Sequence, residues 1–182
     1  MNKILDVTRK AHNLFVHATG LLQSPLLLAV RLYWGWQFFQ TGWGKLHDIP
    51  KVVEFFTSLN MPFPVFNAYL VGITECLGGA LLFVGLGSRL ISLPLVVDMI
   101  VAYVVADREA LKSIFSDPGK FYAADPYTFL FASLLILIFG PGKISIDALI
   151  GRLMRKSGRV TAEQKPGRVW EGSEAGGTQL HA

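Results

Sequence analysis

The chain of 182 residues is poor in charge. Asp, Glu, Lys and Arg make up 16% of it, against 52% hydrophobic residues. A soluble domain carries about 25% charged residues. With a mean hydropathy of +0.43 and the apolar residues gathered in blocks, this excludes an ordinary soluble domain and points to a chain that crosses a membrane several times. Cysteine is nearly absent. The single Cys76 excludes an intrachain disulfide, and no cysteine cluster is there to hold zinc or an iron–sulfur centre. Histidine is scarce too: His12, His17, His47 and His181 all lie outside the apolar runs. A bis-histidine membrane haem therefore lacks ligands, and the chain is not expected to carry electrons by itself. No nucleic-acid motif accompanies the net charge of +4. No cleavable signal is expected, because the apolar residues near the start are periodic rather than continuous and no small-residue cleavage site follows them.

What is present predicts an all-α membrane protein. The expected fold is a four-transmembrane-helix bundle with amphipathic interfacial helices at both ends and short helices in the two exterior connections. Residues 1–24 form the first interfacial segment: Ile4, Val7, Ala11, Leu14, Ala18 and Leu21 recur at three- and four-residue steps, away from Lys3, Arg9, Lys10 and His17. Residues 25–144 form the transmembrane domain, with spans near 25–44, 66–86, 89–106 and 126–140. Ser24-Pro25 is expected to start the first span, with Pro25 in a permitted first-turn position. The first connection holds a short helix capped by Asp48 or Ile49, with Pro50 in its first turn. The second holds another from Asp107 to Phe115. The fourth span is short, and Ala123 and Ala124, helix tilt or bilayer thinning would make up its length. Residues 145–156 form a second interfacial helix, with Ser145 as N-cap and Asp147 suiting the helix dipole. Residues 157–182 are rich in Gly, Ser, Glu and Gln and are expected to be a disordered tail.

An even number of spans puts the termini on one side. Eleven Lys and Arg fall on that side, and five (Lys45, Lys51, Arg108, Lys112 and Lys120) on the other. The excess of cations predicts cytoplasmic termini.

Three charges interrupt the apolar runs: Arg31, Glu75 and Asp98. Each costs about 2.5–3.5 kcal/mol at the centre of a bilayer on insertion scales. Estimated depths let the long Arg31 side chain reach either carboxylate, and side-chain direction favours an Arg31–Asp98 pair. Gly35 and Gly42 share a face with Arg31, and Gly72, Gly78 and Gly79 flank Glu75, so close helix approach is expected there. Two carboxylates and one guanidinium leave an excess negative charge if all are ionised. Either a carboxyl holds a proton, with Glu75 the expected holder, or a ligand completes the site. The trio thus reads either as a ligand or proton site or as a buried ion-pair staple, and Arg31 alone could snorkel to the headgroups. The aromatic set beside Arg31, notably Tyr33, Trp34 and Phe38, admits a pocket for a flat ring such as a quinone head, or serves packing and interface anchoring. Cys76 reads as an inert buried thiol or a redox thiol. No metal site is expected.

Arg31, Gly35, Phe38, Gly42 and Lys45, then Gly72, Glu75, Gly78, Gly79, Gly85 and Arg89, and later Gly140, Gly142, Ser145 and Asp147 together resemble the DoxX family of small bacterial membrane proteins. The resemblance covers about residues 25–150. It implies a four-helix bundle in the bacterial inner membrane and a link to the quinone pool or to oxidative-stress responses. It carries over Arg31 and Glu75 as polar family positions, and Asp98 less clearly. Three functions are expected in this order: a quinone-linked accessory subunit of a membrane redox system, a small proton-coupled transporter, and a structural partner subunit. The expected partners are the lipid bilayer and another membrane or peripheral redox subunit, with homo-oligomer formation open.

Overall fold

A computed structural model describes residues 2–163, with side chains placed at 8–10 and 12–155. All the regular structure in that range is helical. The elements are α1 (Asn2–His47), α2 (Ile49–Ser58), α3 (Pro64–Val84), α4 (Ser88–Val105), α5 (Arg108–Lys112), α6 (Pro118–Ala123), α7 (Pro126–Phe139) and α8 (Ile146–Glu163). Among the described residues, three helices are long and apolar enough to cross a membrane, lying within α1, α3 and α4. The fourth expected span, α7, has only 14 residues, about 21 Å at 1.5 Å per residue.

Two expectations at the ends change. The first interfacial segment and the first span are one continuous helix, with Pro25 inside it. Proline removes one backbone bond, but Leu21, Leu22, Leu26, Leu27, Leu28 and Ala29 around it are strong helix formers. The helix therefore passes through. At the other end α8 runs on to Glu163, so residues 157–163 are helical. The rest of the expected tail, 164–182, lies outside the described residues. The chain divides into two units that meet between Ile150 and Gly151. The first holds all the packing described below.

The connections also differ in detail. Asp48 caps α2, its side chain accepting from the Lys51 N–H at 3.3 Å. The second connection holds two short helices, α5 and α6, where one was expected. Ala124 is extended, so α7 is not prolonged backwards through Ala123 and Ala124. The α3–α4 corner is a tight reversal through Gly85 (φ 76°) and Gly87 (φ 59°). The Gly85 N–H donates to the Leu81 and Leu82 carbonyls, which closes the end of α3 in the left-handed manner that glycine permits.

α1 and α3 run antiparallel with their backbones touching. A Cβ on Gly42 would strike the Glu75–Cys76 backbone, one on Gly79 the Phe38–Phe39 backbone, and one on Gly35 the backbone of Phe83. Glycines thus bring the first span against the Glu75 turn, as expected of small residues at membrane helix interfaces. α4 packs on α7, and the shared core is Phe38, Leu82, Leu95, Met99 and Ile136. Leu90, Leu93, Val97, Ile100 and Val104, at three- and four-residue steps, are exposed. They form the lipid face of α4.

Candidate functional site: a charged cavity floor at one end of the bundle

The three spanning charges divide into two places. Arg31 does not meet either carboxylate. It is 1% exposed, and its Nη2 donates to the Ile144 carbonyl at 2.8 Å. Its guanidinium lies against Gly85, where any Cβ would collide with it, and Asp147 is the acidic charge that acts on it. The expected Arg31–Asp98 pair is therefore corrected. The side chain leans toward the start of its own helix, which carries the guanidinium to the Gly85 level, ten residues and about 15 Å along α3 from Glu75.

Around Arg31 the structure builds a corner. Asp147 Oδ1 accepts from the Gly87 N–H at 2.7 Å and Oδ2 from the Ser88 N–H at 3.0 Å, capping α4, while the Asp147 N–H donates to the Gly85 carbonyl at 3.0 Å. Ser145 Oγ accepts from the Ala148 N–H at 3.1 Å, as its N-cap position predicts. Asp147 thus serves the first turn of α4 as well as that of its own helix. Together with the Arg31–Ile144 bond, these bonds tie the end of α3, the start of α4 and the start of α8 to one another.

Glu75 has a different cation. Lys45 Nζ donates to Glu75 Oε1 at 2.5 Å, with the Lys45 side chain 32% exposed and Glu75 2% exposed overall. Lys45 reads in the sequence as an ordinary cation at a helix end. The signal that identifies it is the face it shares with Arg31, Gly35, Phe38 and Gly42, at steps of four, three, four and three. Asp98, on α4, lines the same cavity as Glu75 and Lys45. Glu75 Oε2 and Asp98 Oδ2 are buried and have no hydrogen-bond donor. Two carboxylates can bond to one another only through a proton held on one of them.

These three groups floor a cavity of about 690 Å³, within the range of about 300–1,000 Å³ typical of small-molecule sites. Val52, Phe55 and Phe56 of α2, Val71 of α3, Ala102 of α4 and Phe129 of α7 give it apolar walls, and Asp48, Lys51, Asp107 and Asp125 stand along it as well. Tyr33, Trp34 and Phe38, expected to line a ring pocket, do not line this cavity. Tyr33 is 57% exposed and Phe38 is 0% exposed in the core. Phe38 packs edge-on against Phe129 (4.7 Å between centroids) and Trp34 stacks on it (6.1 Å), so these two back a cavity wall from behind. The aromatic walls are Phe55, Phe56 and Phe129, and neither their sequence spacing nor their neighbours distinguishes them from packing residues. Among the described residues, no group of three or more His, Cys, Asp or Glu is placed to hold a metal ion.

Residues 26–108 match the DoxX family model. A Bacillus subtilis (strain 168) protein named "Putative oxidoreductase CatD" is 27% identical over 135 residues, covering 74% of this chain and 93% of its own. "Uncharacterized membrane protein Rv3486" of Mycobacterium tuberculosis (strain ATCC 25618 / H37Rv) is 27% identical over 149 residues, covering 75% and 86%. No solved structure is significantly similar. The family match takes in Arg31, Lys45, Glu75, Asp98 and the α1–α3 glycines, and ends before Phe129 and Asp147. Over residues 26–108 the chain is therefore similar to the DoxX family, and its long apolar helices make it a membrane protein.

Proposed function

We propose that this chain is a quinone-linked subunit of a bacterial inner-membrane redox or oxidative-stress system, with the quinone head held above Lys45, Glu75 and Asp98. The observation that carries the reading is the cavity itself: apolar walls and a floor that both gives and accepts hydrogen bonds. Lys45 Nζ can donate to a ring carbonyl, and the undonated oxygens of Glu75 and Asp98 can accept from a ring hydroxyl. Phe55, Phe56 and Phe129 offer flat apolar faces to the ring and keep water from it. A bound quinone supplies a two-electron, two-proton couple. The chain's own part is to orient the ring and to hold one proton between Glu75 and Asp98. Electrons must pass through a partner subunit, since this sequence has one cysteine and no histidine within its apolar runs. The oxidoreductase name borne by the Bacillus relative agrees with this class of function.

Orientation follows the same reading. Lys45 turns into the cavity rather than out to the connection, which leaves four cations on that side against eleven on the other. Both termini are then cytoplasmic and the cavity faces the exterior. The test is quinone content. Protein solubilised in mild detergent should carry extractable quinone, and Ala102→Trp, which fills the cavity, should lose it. Protein free of both quinone and any redox partner would sink the reading.

The two buried carboxyls of Glu75 and Asp98 on one cavity favour a second reading, a proton-coupled transporter that uses the pair as its proton site. It requires flux in reconstituted liposomes that Glu75→Gln abolishes.

A further inference from the structure

We infer that the Glu75–Asp98 pair exchanges its proton with one face of the membrane only, the face that carries the two long connections, and is closed toward the Gly85–Gly87 corner. The inference rests on the quinone reading for its consequence, but not for its evidence. The cavity is walled by the last turns of α1 and α4, by α2, and by the start of α7. All of these stand at the same end of the bundle. The charged groups lining that cavity are Lys45 on α1, Asp48 and Lys51 at α2, Asp107 after α4 and Asp125 before α7. All lie on the connection side of the pair or beside it. The three carboxylates among them, Asp48, Asp107 and Asp125, give a proton successive resting places along the way out.

Toward the corner the buried Ser133 hydroxyl on α7 is followed, one turn on, by an apolar layer. Leu95 lies three residues, about 4.5 Å, from Asp98 along α4, and Leu82 lies seven residues, about 10 Å, from Glu75 along α3. With Phe38 and Ile136 they form a layer at 0% exposure. A layer of side chains with no polar atom breaks a hydrogen-bonded chain. Beyond it the polar groups resume with Ser92, Ser88 and Arg31, but the Ser92 hydroxyl donates to the Ser88 carbonyl at 2.7 Å, one turn farther from Asp98. Those groups belong to the corner that holds α4 and α8. Whichever way electrons run, a quinone or quinol in this cavity takes its protons from, or gives them to, the connection face.

The test is cysteine accessibility in sealed vesicles of the two orientations, with Cys76→Ala as background. Ala102→Cys stands in the cavity wall and Ser92→Cys beyond the apolar layer. A membrane-impermeant methanethiosulfonate cation should label Ala102→Cys at least ten times faster from the connection face, and should leave Ser92→Cys unlabelled from that face. Comparable labelling of Ala102→Cys from both faces, or faster labelling from the corner face, would overturn the inference. Labelling of Ser92→Cys from the connection face would do the same. If the Cys76→Ala background does not fold, the native chain serves. An impermeant water-soluble carbodiimide should modify Asp98 from the connection face alone, and modification from the other face overturns the inference. Neither measurement uses a quinone. A chain that binds no quinone therefore fails the proposed function and leaves the sidedness to the labelling.

Discussion

Lys45 reaches from the last turn of the first span to Glu75, halfway along α3, and pairs with it where Gly42 lets the two backbones touch. The ion pair and the glycine contact are one device: the close approach allows a lysine at the helix end to reach a buried carboxylate. Breaking a buried pair by removing one partner costs about 3–5 kcal/mol. The part-exposed lysine should put this pair at the low end of that range. Lys45→Met, which leaves two carboxyls without a cation, should destabilise more than Glu75→Gln, and the double variant should recover part of the loss. Unfolding midpoints in mixed detergent micelles check the order.

The α1–α3 contact predicts a steep response to small side chains. Gly42→Val and Gly79→Val must push backbone away from backbone. Each should cost at least the 1–3 kcal/mol or so of an overpacked core. Gly44→Ala, with nothing within 4 Å of its added Cβ, is the control and should be near neutral. Thermal stability in detergent reads all three.

The corner predicts a separation of stability from ligand binding. Asp147→Ala removes the acceptors of the Gly87 and Ser88 N–H groups at the start of α4, a loss of about 0.5–2 kcal/mol for a capping side chain. Arg31→Met frees the Ile144 carbonyl and leaves Asp147 without its buried cation. Both should lower the unfolding midpoint and leave quinone affinity in the surviving folded protein within about twofold. A tenfold loss of affinity on either change would return Arg31 to the ligand site.

The walls predict a graded effect. Phe129→Ala removes a ring that lines the cavity and leaves Trp34 and Phe38 without their stacking partner. It should weaken quinone binding by about tenfold or more, at the 1.4 kcal/mol per decade that relates free energy to affinity. Tyr33→Ala, on the exposed face, should leave binding unchanged. Equilibrium titration of the two purified variants compares them.

The architecture was legible because bilayer physics writes it in long apolar runs and glycine ends. Glu75 and Asp98 were legible for the same reason, as charges too costly to be idle. Their cation was not. Arg31 lies nearer mid-span and so looks the better partner, while Lys45 sits after Gly42-Trp43-Gly44 where helices commonly end in a cation. Side-chain reach decided between them: Arg31 leans toward its helix start and away from Glu75, and Lys45 leans the same way and so toward it. The cavity walls come from α2 and α7, elements without a costly charge among their apolar residues. The continuity of α1 through Pro25 was hidden because proline marks a helix start as often as a kink, and only the strong helix formers on both sides separate the two.

The most direct test of the central claim is the carboxyl infrared difference spectrum of the purified protein on adding a short-chain quinone at neutral pH. The account predicts a protonated-carboxyl band that shifts when quinone binds and that is lost or displaced in both Glu75→Gln and Asp98→Asn. A wild-type spectrum with no carboxyl response to quinone, or the same response in both variants, would contradict it.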